Sequence, residues 1–368
     1  MNLNPKNPLA ALLLACCTAL GHAAAPVVSF ADDPAVIDFA RDLEQRHGFN
    51  ADTLLGQFAE TRPNAKVLQL IKPPSSPLQR SWERYRPRFL NDRRIDGGVG
   101  FWLENEGQLI KASALYGVPP EIIVAIIGVE TEYGRNTGGF RVLEALATLA
   151  FKYPPRAEFF RTELEQFLLL SRENNLDPLT VKGSFAGAIG IPQFMPGSQR
   201  RYAVDFDGDQ RVDLSGSVDD AIGSVARFLE QHGWQTGQPI AVQAATNGAP
   251  DPALLQAGIR PSLKVAELAD KGVRADTDPQ GTVALIDLVS PNKDTEYWLG
   301  FDNFYVITRY NRSSFYAMSV FQLAEALRTG AVDGVPVAPR PIGAPAAART
   351  KPAAAAKSGS RGKRRAGG

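Results

Sequence analysis

Pro119-Pro120-Glu121-Ile122-Ile123-Val124-Ala125-Ile126-Ile127-Gly128-Val129-Glu130-Thr131-Glu132-Tyr133-Gly134 is the stretch on which the reading of this chain turns. Proline suits the first turn of a helix, where its missing N–H has no intrahelical partner to lose. The residues after the prolines are apolar on nearly every face, which predicts a helix inside the protein and not on its surface. Glu130 arrives at the C-terminal end of that helix, with Ile127, Ile126 and Ile123 three, four and seven residues back along its own face. Burial there raises a carboxyl pKa because the charged form loses its hydration, and the negative end of the helix dipole pushes the same way. A carboxyl that keeps its proton near neutral pH is what a general acid requires. The alternative is a surface glutamate at a fraying helix end, paired with Arg135. Glu132, two residues on, faces another side and reads as a solvated or salt-bridged group.

Outward from this helix, the chain between Gly98 and about Trp234 is almost continuously helix-like. It breaks at Pro119-Pro120, 134–139, Pro154-Pro155 and a glycine-rich run at 183–197. Upstream, Val36, Phe39, Ala40 and Leu43 recur at helical steps within 34–60, and Pro73, Pro74 and Pro77 mark a break before Trp82, Tyr85 and Phe89. Downstream, the texture changes. Strand-like runs appear at 240–242, 282–289, 297–299 and 304–308, separated by glycine, proline and asparagine turns. A last helix is predicted over 314–328. The tail beyond Pro336 is mostly Ala, Pro, Lys, Arg and Gly, and is expected to be disordered. The predicted fold is mainly α with a small β-rich insertion. Its segments are an export signal (1–25), an N-terminal helical region (26–75), a core (76–238), the β-rich insertion (239–311), a closing helix (312–334) and a basic tail (335–368).

Composition removes several kinds of chemistry. Hydrophobic residues make up 44% of the 368 residues and charged residues 21%, an ordinary globular balance. The net charge of +1 hides a basic tail without acids, so nucleic-acid binding is unsupported outside that tail. Both cysteines, Cys16 and Cys17, fall in the leader, leaving the body without a disulfide, a thiol nucleophile or a cysteine metal site. His22 is also in the leader, while His47 and His232 sit in different helical stretches. Carboxylates remain as the chemical groups. The leader pairs Lys6 with an apolar run at 9–20 that is too short to span a bilayer, as an export signal does. Two cleavage readings stay open. Leu13-Leu14-Ala15-Cys16 resembles a lipobox, which would make Cys16 a lipidated N-terminus anchored to the outer membrane. Gly21-His22-Ala23 fits a small-residue cut instead. Either reading places the protein in the periplasm.

Three ordered motifs make the chain resemble a known family. Gly128-Val129-Glu130-Thr131-Glu132-Tyr133-Gly134-Arg135 is similar to the catalytic segment of the B-type lytic murein transglycosylases. Lys182-Gly183-Ser184-Phe185-Ala186-Gly187-Ala188-Ile189-Gly190, leading into Gln193-Phe194-Met195-Pro196, resembles a second signature. Asp220-Ala221-Ile222-Gly223-Ser224-Val225-Ala226 with His232-Gly233-Trp234 resembles a third. The likeness runs from about 30 to 330. It implies a lysozyme-like core with added helices, and cleavage of the β-1,4 bond between N-acetylmuramic acid and N-acetylglucosamine with formation of 1,6-anhydromuramyl ends. Glu130 would be the single acid and base, with the substrate's N-acetyl group standing in for a second carboxylate. By the same resemblance Ser184 holds the N-acetyl group or its neighbour, Gln193 bonds the sugars, and Phe194 and Met195 floor a pyranose ring. Arg156, in Tyr153-Pro154-Pro155-Arg156, meets the peptide or muramyl substituent; Pro155 stands where the family often has a second basic residue. Tyr85, Tyr310, Asn311 and Tyr316 match cleft positions, with Asn311 expected near Glu130 and plain core packing the alternative for Tyr85 and Tyr316. The partner implied is the peptidoglycan glycan strand, met by a monomer. Two rivals remain: a hydrolytic muramidase making the same cut with water, and a non-catalytic peptidoglycan-binding scaffold.

Asp205-Phe206-Asp207-Gly208-Asp209-Gln210-Arg211-Val212-Asp213 sets acids at loop positions one, three, five and nine, the EF-hand rhythm for calcium. Arg211, at position seven, would offer its carbonyl. Gln210 replaces the usual sixth-position glycine, and Gly216 cannot give the bidentate carboxylate of position twelve. The family resemblance implies an extended loop in which Asp219 or Asp220 closes the shell. The expected role of the ion is structural, with no cofactor for catalysis, and an exposed Asp-rich turn is the alternative.

Overall fold

The computed structural model describes residues 29–72, 80–278, 280–332 and 335–336. The export segment with Cys16, and the tail beyond Pro336, lie outside these residues.

Three capped helices begin the described chain: α1 (Pro34–His47), α2 (Ala51–Ala59) and α3 (Ala65–Ile71). Asp33, Asn50 and Asn64 each accept a first-turn N–H at their N-termini. Gly48, at φ 65°, ends α1 in the left-handed conformation, so the periodic stretch at 34–60 is two helices. Their apolar faces pack with α8 (Val142–Lys152) and α9 (Ala157–Glu173) into a core of their own, around Phe30, Leu43, Phe58, Leu146 and Phe167.

The second and larger core surrounds the sequence's apolar helix. After α4 (Trp82–Tyr85), α5 (Asp92–Glu104) and α6 (Glu106–Tyr116) comes α7 (Pro120–Thr131), with Pro119 at its N-cap. Every residue from Ile122 to Val129 is buried. Each isoleucine there contributes about 2 kcal/mol from removal of apolar surface from water. Helices α5, α6, α11 (Val218–Gln231) and α15 (Ser314–Thr329) enclose α7. Between the two cores run β1 (Phe140–Arg141) and β2 (Lys182–Gly183), paired antiparallel, and α10 (Pro196–Tyr202). In the loop after β2, Gly190 takes φ 75° where a Cβ would strike the carbonyl of Leu214, so only glycine fits.

The insertion is a five-stranded antiparallel sheet in the order β4-β6-β7-β3-β5. Its strands are β3 (Ala241–Thr246), β4 (Leu263–Lys264), β5 (Val273–Arg274), β6 (Thr282–Ser290) and β7 (Lys293–Gly300), with α12 (Pro252–Gln256) and α13 (Val265–Asp270) covering one side. One expectation fails here. The run at 304–308 is not a strand; α14 (Asp302–Ile307) occupies it, and Phe304, Val306 and Ile307 bury into the α7 core. A short β-branched and aromatic run carries no period that separates a strand from a buried helical turn. The closing helix is α15, as predicted. Past it, β8 (Ala331–Val332) pairs with β9 (Val335–Pro336), so the first two residues assigned to a disordered tail are in a hairpin.

Candidate active site

Helix α7 ends in an unusual backbone. Glu132, Tyr133 and Gly134 follow one another in the left-handed region, at φ 53°, 63° and 84°. L-residues with side chains resist that region, so the turn must be held by its surroundings. It is. Thr131 Oγ1 donates to the Ile191 carbonyl at 2.7 Å, and the Gly134 N–H donates back to Thr131 Oγ1 at 3.0 Å. Tyr133 folds under the helix, its hydroxyl donating to the Arg94 carbonyl at 2.7 Å, while Arg94 Nη1 donates to the Gly128 carbonyl. The tyrosine ring lies against Gly128, where a Cβ would come within 2.6 Å of the phenol oxygen. Glu132 is drawn aside into an ion pair with Arg93 at 2.6 Å and lies 4.0 Å from Arg135, which fits the salt-bridged reading and removes Arg135 as a partner for Glu130.

This turn leaves Glu130 part-buried, with one strong polar contact. The hydroxyl of Tyr316, on α15, donates to Glu130 Oε1 at 2.6 Å. Burial pushes the Glu130 carboxyl up to about 7, opposed only by the Tyr316 hydrogen bond. No charged side chain takes part in that shift. Tyr316 stacks nearly parallel to Tyr310, at 15° and 6.4 Å between ring centres. Both phenols are held well above their ordinary pKa, first by burial and then by the nearby Glu130 charge. Tyr85 is raised by burial and then by the Glu130 charge, and its ring packs on Trp82, Phe89 and Phe315. Core packing and a place beside the acid are therefore combined in Tyr85 and Tyr316.

The loop carrying the second motif is stitched to this end of α7. Besides the Thr131 bond to Ile191, the Tyr310 hydroxyl donates to the Pro192 carbonyl at 2.7 Å. Gln193 takes φ 53°, and its Nε2 donates to the carbonyls of Thr137 and Gly190, both at 2.9 Å. Its amide hydrogens are thus engaged by the loop, and Oε1 is the atom left for a ligand. Ser184 Oγ accepts the N–H groups of Ala186 (3.3 Å) and Ala188 (3.0 Å), leaving its own O–H to donate. Phe194 requires a correction. It lines the same lobe as Met195, but at 2% exposure, with its ring packed on Phe228 and Tyr310, most of its surface is spent on packing. Met195, one residue on, is part-exposed. Asn311 lies exposed in the turn between α14 and α15, its carbonyl accepting the Ser313 N–H, and no hydrogen bond joins it to Glu130. Arg156 is exposed, its guanidinium over the rings of Phe159 at 4.4 Å and Phe160 at 5.0 Å.

Sequence reasoning gave Tyr316 no proton-donating role, and it missed Thr131 and Arg94 altogether. Tyr316 lies 186 residues from Glu130, and no spacing signals such a bond. Beside Tyr310 and Met195 a lobe of about 570 Å³ opens between α9, α10 and α11, and sequence reasoning did not foresee it.

In the acidic loop, carboxylate oxygens of Asp205, Asp207 and Asp209 lie within 4.8 Å of one another. Asp205 turns the loop by accepting the N–H groups of Gly208 and Gln210, and Gln210 adopts φ 72°, the left-handed backbone that glycine usually supplies at the sixth position. The Arg211 N–H donates to Asp209 Oδ1 at 2.8 Å. Asp220 needs a correction as a candidate ligand. It is buried, and its two oxygens accept the N–H groups of Phe206 and Asp213, each at 2.7 Å, so it clamps the loop to α11. Asp219 accepts from Gln108 Nε2 at 2.5 Å and stands outside the converging three.

With this geometry in place, comparisons with known proteins are specific. The family model described as a transglycosylase SLT domain matches residues 31–325. The chain is 44% identical over 310 residues to the membrane-bound lytic murein transglycosylase B of Escherichia coli (strain K12), covering 81% of this chain and 84% of that one. Among solved structures it is similar to the soluble lytic transglycosylase SltB1 of Pseudomonas aeruginosa, at 47% identity and a TM-score of 0.74, covering 80% of this chain and 98% of that one. It is similar too to the Escherichia coli lytic transglycosylase Slt35, solved in complex with calcium, at 41% identity and a TM-score of 0.73, covering 81% and 94%. A buried acid at the end of an enclosed helix, on a fold shared over four-fifths of the chain, therefore places this protein in the SLT-domain family of lytic murein transglycosylases, as a peptidoglycan lyase.

Proposed function

We propose that the enzyme cleaves the β-1,4 bond between N-acetylmuramic acid and N-acetylglucosamine and leaves a 1,6-anhydromuramyl end, with Glu130 as both acid and base. The observation that carries this reading is a single part-buried carboxyl with a pKa near 7, touched by one neutral donor and by no second acid. Tyr316 donates to Oε1, so Oε2 carries the mobile proton. In the first step that proton passes to the leaving O4 as the C1–O4 bond breaks, and the resulting carboxylate keeps the Tyr316 hydrogen bond. The 2-acetamido oxygen of the substrate supports the cationic C1, as in substrate-assisted glycosidases. The muramyl 6-hydroxyl then bonds to C1 and returns its proton to Glu130. No water is consumed, and the enzyme ends as it began. Ser184, through its free O–H, and Gln193, through Oε1, suit the acetamido group and a sugar hydroxyl.

The acid loop is proposed as a structural calcium site. Three converging carboxylates are a hard-oxygen donor set suited to that ion, and the Slt35 relative is solved with calcium. An envelope location is supported by the export signal in the sequence and by the membrane-bound name of the E. coli relative. The test of the reaction is the mass of products from purified sacculi. Anhydro-muropeptides, one water lighter than the reducing-end forms, are expected. Reducing ends alone would make the enzyme a muramidase, and no release at all would leave a binding scaffold.

A further inference from the structure

The lobe beside Tyr310 has a charge pattern that neutral sugars do not need. Arg201 on α10 and Arg309 after α14 both line it, and both are exposed. Neither guanidinium has a carboxylate within ion-pair distance among the described residues; Arg200, beside them, is already paired with Glu173 at 2.6 Å. Each free arginine is held over an aromatic ring, Arg201 at 5.8 Å from the Tyr202 centre and Arg309 at 5.7 Å from that of Tyr305, which limits the rotamer freedom lost on binding. Both face His232. That ring lies over Phe228 at 4.1 Å, donates from Nδ1 to the Phe228 carbonyl at 2.7 Å, and turns Nε2 toward the Tyr202 hydroxyl at 3.5 Å. Burial and then the two arginine charges lower its pKa from the ordinary value. The one acid in the lobe, Glu163, is bound by the Gly197 N–H at 2.9 Å; burial raises its pKa, while the Gly197 bond and the Arg201 charge lower it.

From this arrangement the geometry points to a carboxylate subsite: Arg201 and Arg309 receive a free carboxylate of the peptide carried on the muramyl residue. This inference rests on the proposed cleavage reading, since it assumes a glycan strand running past Glu130. The glycan backbone itself is uncharged, so its substituent peptides are the anionic part of such a strand. Guanidiniums bind carboxylates through paired, charge-assisted hydrogen bonds, and a lobe of about 570 Å³ is within the size range of ligand pockets.

The test compares kcat/KM on peptide-bearing strands with kcat/KM on the same strands stripped of peptide by an amidase, the lactyl carboxylate that this frees being capped as its amide. The variants are Arg201→Gln with Arg309→Gln, and the double lysine replacement. The ratio of peptide-bearing to stripped substrate is expected to fall about tenfold in the glutamine pair, through KM, and to recover in part with lysine. An unmoved ratio, or an equal loss on both substrates, overturns the subsite. If the parent enzyme cuts neither strand, the cleavage reading fails instead, so the two failures are distinguishable.

Discussion

Two regions of this molecule handle carboxylates in opposite ways. Glu130 sits at the end of an apolar helix with one hydroxyl for company, and its pKa rises to about 7. In the acid loop, Asp207 is exposed, accepts Ser217 Oγ at 2.8 Å and the Asp209 N–H, and is held below the ordinary carboxylate range, the Ser217 bond being the largest cause. The functional group is the same. In one place the surroundings favour a removable proton, and in the other a permanent negative charge. The first suits proton transfer and the second suits a hard cation. Asp220 shows that burial is decisive even inside the loop: it is buried beneath the turn, and burial raises its pKa despite two backbone donors.

The contrast can be broken most severely at Glu130. Glu130→Gln keeps the shape and the Tyr316 contact but has no proton to give, and turnover of sacculi is expected to fall by at least about 10³-fold. The same variant tests the cost of burial. A carboxyl whose pKa is raised on folding favours the folded state when protonated, and that advantage is lost as pH rises through the folded value of about 7. Glu130→Gln should therefore be more stable than the parent by about 3 kcal/mol at pH 9, with the gap closing toward pH 4.5. Denaturant melts at the two pH values measure it. An equal stability difference at both would mean the acid is not perturbed.

Tyr316→Phe sharpens the comparison by removing the one group that steadies the Glu130 charge. The alkaline limb of the pH–rate profile reports loss of the Glu130 proton, and it is expected to move upward by about one unit. A limb that stays in place or moves down would sever the link between Tyr316 and the acid. A separate effect, on stability and not on turnover, belongs to the loop. Calcium at about a hundredfold excess over its dissociation constant adds roughly 2.7 kcal/mol of stability, read as a few degrees in melting temperature for a chain of this size. Asp205→Asn with Asp209→Asn should abolish that rise while leaving the Glu130 pH profile unchanged. A calcium-insensitive parent would make the loop an Asp-rich turn alone.

Much of the architecture was legible in the residues. The proline start, the apolar run and the glutamate at its end specify a buried helix carrying an acid, because an all-round apolar helix has nowhere else to go. The glycine-rich run at 183–197 was legible as a break, but the neighbours that Gly183, Gly187 and Gly190 approach, the Ala188 carbonyl, Leu146 and the Leu214 carbonyl, emerge only in the fold. The run at 304–308 was not legible, because five apolar-rich residues fit a strand or a buried turn equally, and only the space left beside α7 made it helical.

By itself, then, the sequence determined which segments are buried, which acid ends the buried helix and which loop gathers aspartates; these are local properties set by periodicity and spacing. Tertiary structure alone decided what surrounds each group. It brought Tyr316 across 186 residues to Glu130, packed the Phe194 ring on Phe228 and Tyr310, spent Asp220 on two backbone amides and gathered Arg201 and Arg309 around His232. Hydrogen bonds and desolvation act over a few ångströms in space, and distance along the chain carries no record of them.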